Sequence, residues 1–243
     1  MRKYALTDET KTLADGTVLH RIRALRDIPR NGVKFRDLGG WIEAESNLSQ
    51  DGDAWVGDNA SVSGNANISG NALVCNKASI SGDARVYGDA VVCGDARVYG
   101  NARVYGNAVV YGNAVVYGNA QVYGNAWVYG NAWVYGDAVV YDNAWVYGDA
   151  RVYGNARVYG NAEVSGNAEV KSIRDYAVSK NGWSSGRWFT YTRSNRMWKV
   201  GCFYGTGEEL IAKAYKDSEL SGKCYEAIVR AQEAIDMAID EKE

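Results

Sequence analysis

The 243 residues contain one histidine, one proline, three methionines and three phenylalanines, and these scarcities exclude several kinds of protein. A three-histidine metal centre cannot be built from His20 alone. With Pro29 as the sole proline, nothing interrupts long strand ladders beyond it. No CxxC pair and no phosphate-cradling G-x-x-x-x-G-K-[ST] loop occurs. The formal net charge is −2, so bulk charge points neither to nucleic acid nor to a membrane surface. No apolar run approaches the length needed to span a bilayer. Met1-Arg2-Lys3-Tyr4 is followed by no apolar leader region. Four cysteines without a paired framework read as free thiols in a reducing compartment. The expectation is a cytoplasmic protein with no membrane partner, no metal and no cofactor.

What the chain has instead is a six-residue phrase, Gly-Asn/Asp-Ala-x-Val-Tyr, repeated without insertion from Asp53 to Val170. Alanine stands at every sixth position from Ala54 to Ala168, twenty times, and Val or Ile follows two residues after each. Glycine precedes the Asn/Asp position except where Asp58, Asn76 and Asp142 stand. A strict short period marks a solenoid. Within Ala-x-Val-Tyr, strand alternation sends Ala and Val to one side and x and Tyr to the other. Gly tolerates positive φ at the corner, with Asn or Asp the next most tolerant residues there. Three phrases make one coil of eighteen residues, so residues eighteen apart stack on one face at about 4.8 Å.

This pattern, with Val86 and Ala90, then Val92 and Ala96 and onward, resembles the hexapeptide-repeat family. That resemblance implies a mainly β, left-handed parallel β-helix, and it supplies the handedness. Its members include acyltransferases, carbonic-anhydrase relatives and plain scaffolds, commonly trimeric. The repeat begins early, at Gly40-Trp41-Ile42 and Ser46-Asn47-Leu48, with a two-residue insertion around Gln50-Asp51. The segment from Gly39 to Trp55 is similar to the start of an uncharacterised bacterial group labelled putative acyltransferase. Acyl transfer in such proteins needs a histidine base in or beside the coils and usually an extruded loop. Here the only histidine, His20, lies upstream, and 54–170 has no insertion. No catalytic residue is therefore assigned, and the chain is read as a non-enzyme, an unusual acyltransferase using His20 being the residual enzymatic alternative.

The outward positions form three ladders. The first runs Trp55, Leu73, Val91, Val109, Trp127 and Trp145, beside Cys75, Cys93, Tyr111, Tyr129 and Tyr147. It is too apolar for solvent. Either it closes a homotrimer, the first expectation, or the chain's terminal domains fold back over it. The second runs Ser61, Ser79, Arg97, Val115, Trp133 and Arg151, with Tyr99, Tyr117, Tyr135 and Tyr153. The third carries Arg85, Arg103 and Arg157 beside Tyr87, Tyr105 and Tyr123. Arginine forks and tyrosine rings suit a nucleotide-like anion or an acidic protein surface; equally, they shield a solvated sheet. Tyr, Trp and Arg ranks, in place of small hydroxyls, exclude ice binding.

Residues 1–38 read as a β cap with a hairpin turn at Asp15-Gly16, 39–171 as the solenoid, and 172–243 as an α+β domain. In that last domain three strands are expected, at 175–179, 187–192 and 197–203. A capping box at Thr206-Gly-Glu-Glu209 opens a helix to about Lys216. A final helix presents Cys224, Ile228, Ala231, Ile235 and Ala238 as one face. The stretch from Gly186 to Tyr215 is similar to the plant apetala-type DNA-binding domain, whose three-stranded sheet enters the major groove. That likeness implies DNA contacts from Arg187, Trp188, Arg193, Arg196, Trp198 and Lys199. Residues 172–205 hold six basic side chains against one acidic, in agreement. The leading functional expectation is an oligomeric scaffold that presents its C-terminal domain to a protein partner. The alternative is a phage-type protein that sequesters a nucleotide-like ligand or neutralises a host protein.

Overall fold

The computed structural model describes residues 2–183 and 185–241; the expected units 1–38 and 172–243 each extend past these limits, and the second also includes Ser184. Twenty two-residue strands, β4 to β23, begin with Trp55–Val56 and recur every six residues to Glu169–Val170. They assemble into three parallel sheets whose partners are eighteen residues apart, as in Val91↔Val109 and Arg103↔Gln121. The chain is a three-sided parallel β-solenoid, and its interior is hydrocarbon. Every repeat alanine from Ala54 to Ala168, and every Val or Ile two residues on, is fully buried.

The corners follow the steric rule. The corner glycines are left-handed, with Gly112 at φ 72° and Gly130 at φ 70°. Asp58, Asn76 and Asp142, which replace glycine, take φ of 52°, 58° and 59°. Beside each corner, Asn and Asp side chains form ladders along the rod. Asn101 Nδ2 donates to Asn119 Oδ1 at 3.1 Å, and Asn119 Nδ2 to Asp137 Oδ1 at 2.9 Å.

Both ends are sealed. At the start, β1 (Tyr4–Thr12), β2 (Val18–Ala24) and β3 (Leu38–Ile42) are antiparallel, and β3 then pairs in parallel with the strand Ser61–Val62. The cap thus continues one solenoid sheet. The Gln50 insertion ties it down: Gln50 Oε1 accepts from the Lys3 amide at 2.8 Å, and the Tyr4 hydroxyl donates to the Leu48 carbonyl at 2.7 Å.

At the far end, β24 (Tyr176–Lys180), β25 (Trp188–Thr192), β26 (Met197–Val200) and β27 (Phe203–Gly205) form an antiparallel sheet backed by α1 (Gly207–Asp217) and α2 (Glu219–Asp240). The described sheet has four strands where the sequence suggested three, because Gly201-Cys202 turns the third expected strand back on itself. Thr206 and Glu209 do form the capping box of α1. The buried face of α2 is Gly222, Tyr225, Val229 and Asp236; of the expected stripe, Cys224 is half-buried and Ile228 packs at the edge of that core, while Ala231, Ala238 and Ile235, the last at 51%, are exposed. A Cβ at Gly222 would fall 2.2 Å from the Tyr215 ring, so this glycine lets α1 and α2 approach. The two units meet through hydrogen bonds that replace a missing coil. In the solenoid each x-residue amide from Trp55 to Arg151 donates to the alanine carbonyl of the next coil, as Trp145 does to Ala162. Glu163 and Glu169 have no next coil, and their amides donate instead to Thr190 Oγ1 at 2.9 Å and Ser194 Oγ at 2.7 Å.

Candidate functional site

The sequence marked two outward surfaces and one C-terminal sheet as sites, and the fold treats them differently. Among the described residues, both faces of the C-terminal sheet are largely occupied by the rest of the chain. Alternation along β25 and β26 turns Phe189, Tyr191, Trp198 and Val200 toward α1 and α2, where they form one core. The opposite side, with Thr190 and Thr192 buried, rests on the last coils. Trp198 is 4% exposed and packs edge-on against Phe189, so it cannot be the groove-reading residue that the apetala likeness implied. Arg193 is tied to Asp240, and Lys199 pairs with Glu163 at 3.6 Å. Arg187, Trp188 and Arg196 stay exposed, but around the sheet rather than on one reading surface, and Lys180 lies over the Trp188 ring, 5.4 Å from its centroid. Arg196 and Trp198 border a cavity of about 280 Å³ beside α2. There the buried Asp236 carboxylate accepts from the Tyr191 hydroxyl and from Gln232 Nε2.

The first outward ladder is the most apolar of the outward ladders, and the fold leaves its middle bare, as it does the shorter apolar stretch at Trp133 on the second. Its N-terminal end is covered: Trp55 is buried, and a Cβ at Gly39 would fall 2.6 Å from its ring. Its C-terminal end is covered too, where the Tyr204 hydroxyl reaches the Ser165 carbonyl and Lys199 reaches Glu163. Between these ends the terminal units do not fold back over it. Leu73, Val91 and Val109 are half-buried, while Trp127 and Trp145 are 38% and 40% exposed and stack with centroids 5.8 Å apart. Tyr111, Tyr129 and Tyr147 stack beside them at 5.0 and 4.8 Å, with Tyr111 edge-on to Trp127. Burial pushes the Tyr129 phenol up to about 12, and the Tyr147 phenol is raised by the same cause. Cys75 and Cys93 continue the tyrosine column as free thiols. The thiol–thiol contact raises the pKa of Cys75, so it stays protonated, and lowers that of Cys93 to about 7.

The third ladder brings Arg85 and Arg103 into register, with Tyr87, Tyr105 and Tyr123 stacked beside them at 4.9 and 4.8 Å. Arg157 stands apart on the same sheet, beyond Gln121 and Val139. Its carbonyl accepts from the Tyr176 hydroxyl at 2.8 Å. His20 is on β2, paired with Thr10 and Ile42 in the cap, away from the regular coils. Among the described residues no group of three or more His, Cys, Asp or Glu side chains is placed to hold a metal ion. No described helix is long and apolar enough to cross a membrane. Sequence reasoning missed Thr190 and Ser194, whose role depends on where the solenoid stops. A Thr and a Ser in a short strand and its turn carry no such signal alone.

This geometry defines the chain as a β-solenoid repeat protein. Its repeats match the family model described as the YdcK β-solenoid repeat over residues 78–94, 96–112, 102–118, 110–124, 120–136, 132–148 and 150–166. No curated protein matches the chain.

Proposed function

We propose that this chain is a non-catalytic, self-associating rod, a homotrimer closed on the first ladder, that holds its C-terminal unit out to a protein partner. The observation that carries the reading is the uncovered strip from Leu73 to Trp145, bounded at both ends by the chain's own caps. Its five rows span about 19 Å along the rod. A stacked Trp pair beside three stacked tyrosines is the kind of exposed apolar patch that marks an interface, and Trp and Tyr are the residues that dominate such contacts. The threefold state follows from the hexapeptide resemblance. A non-catalytic role is supported by an interior filled with Ala and Val, and by a sole histidine that lies in the cap. We put the partner at the C-terminal unit because, of the two non-repetitive ends, it is the larger and has helices of its own.

Sedimentation velocity on the double variant Trp127→Glu, Trp145→Glu tests the assembly. The two new carboxylates stand in register with Glu163 and cost some stability, but the Ala/Val interior is untouched; the variant, its fold checked by circular dichroism, sediments as a monomer while the unmodified chain sediments as a trimer. Equal sedimentation of the two would overturn the reading.

A further inference from the structure

The third sheet has a step in its surface. Tyr159, Tyr141, Tyr123, Tyr105 and Tyr87 stack ring on ring along the rod. One coil before Tyr87 the same position is Ser69. The column therefore stops, and the face of Tyr87 turned from Tyr105 has no ring upon it. Alongside, Arg85 is in register with Asn67 on one side and Arg103 on the other. Small side chains make the floor and large ones the wall of an open cavity of about 380 Å³, lined by Asn65, Asn67, Ser69, Arg85, Tyr87 and Arg103.

The charge there is unbalanced. The outward positions of this sheet read Asn67, Arg85, Arg103, Gln121, Val139 and Arg157, with no carboxylate among them. The first and second sheets each end on an acid, Glu163 and Glu169. Like charges in direct register are destabilising, and neither Arg85 nor Arg103 forms an ion pair among the described residues. The nearby corner carboxylates are engaged elsewhere. Asp83 accepts from Asn65 at 3.0 Å, and Asp89 accepts from Asn71 and pairs with Arg30 at 2.7 Å. Arg85 and Arg103 leave the backbone one coil apart, about 5 Å, so both forks can reach one phosphate placed between them, and Arg forks bind phosphate with charge-assisted hydrogen bonds.

We propose that this step is a binding site for a mononucleotide, whose base stacks on the open face of Tyr87 and whose phosphate lies between Arg85 and Arg103. The amide nitrogens of Asn65 and Asn67 are already used, toward Asp83 and the Ser46 carbonyl, which leaves their side-chain oxygens to accept from ribose hydroxyls. The site is on the third sheet and the trimer contact on the first, so each reading stands or falls without the other.

Isothermal titration calorimetry of the full chain at low ionic strength tests it, with AMP, UMP, adenosine, inorganic phosphate and phenyl phosphate as probes. AMP and UMP bind, and adenosine and inorganic phosphate bind at least about tenfold more weakly, because each lacks one half of the contact. Arg85→Ala and Arg103→Ala each weaken AMP by about tenfold or more. Ser69→Tyr extends the tyrosine column by one coil, fills the step and abolishes binding, while its melting temperature is unchanged or raised. No heat from either nucleotide at millimolar concentration would overturn the proposal, as would undiminished binding to Ser69→Tyr. Phenyl phosphate binding as tightly as AMP would also overturn it, and would assign the step to aryl phosphates such as a phosphotyrosine side chain.

Discussion

Val139 and Val140 are adjacent in the chain, identical in chemistry and opposite in fate. Val140 is fully buried, stacked between Val122 and Val158, while Val139 is half-buried on the outside between Gln121 and Arg157. Truncating Val140 to Ala removes two methyl groups from a hydrocarbon interior at about 0.8 kcal/mol each. The neighbouring coils cannot close the gap, because their spacing is fixed by the ladder hydrogen bonds. The cavity adds to the loss, so the total is about 2–3 kcal/mol. Val139→Ala removes the same atoms from a site that solvent partly reaches, and costs roughly 0.5–1 kcal/mol. Urea unfolding followed by circular dichroism reads the difference as a lower midpoint for Val140→Ala at an unchanged slope. Equal midpoints for the two variants would refute the alternation on which every assignment of inside and outside depends.

Corner substitutions should follow the backbone. Gly112→Val, at φ 72° with its Cβ 3.1 Å from the Gly130 nitrogen, lowers the urea midpoint by the equivalent of about 2 kcal/mol or more; Gly112→Asn costs much less, as Asn76 and Asp142 already show. Lys3 is fully buried in the cap, and burial, reinforced by Arg26, lowers its ammonium to about 8. A base with a depressed folded pKa binds its proton more weakly in the folded state, so cap stability rises as pH increases from about 8 toward 10.5. Lys3→Met removes that slope and raises the melting temperature at pH 7, as pH-dependent thermal melts would show. The thiols give a chemical readout of the first face. Cys93, with its ionisation near 7, is alkylated slowly by iodoacetamide in the assembled chain and faster in the Trp127→Glu, Trp145→Glu variant. Equal labelling rates would place these cysteines outside the contact.

Much of the rod could be read from residue order because one local rule repeats. Ala and Val alternate inward, the corner accepts only positive φ, and even the glycine exceptions at Asp58, Asn76 and Asp142 take the conformation their residue type allows. The C-terminal unit was less legible because its rules are tertiary. Trp198 and Arg193 resembled groove-reading residues by type and spacing. Which side of the sheet a residue faces, and that the solenoid end occupies the other side, depends on where the two units meet. The last helix misled for a related reason: its buried stripe contains Gly222 and Asp236, one small and one charged. The apolar period at Cys224, Ile228 and Ile235 therefore pointed beside the buried face, with Ile228 at its edge and Ile235 exposed. The step at Ser69 was visible only once coils were stacked, since it is an interruption between residues eighteen apart.

Light scattering on the unmodified chain over a wide range of concentration tests the central claim most directly. The account predicts a concentration-independent mass three times that of the 26.5 kDa chain. A single-chain mass throughout would contradict it, because the Leu73–Trp145 strip would then face water with nothing to cover it.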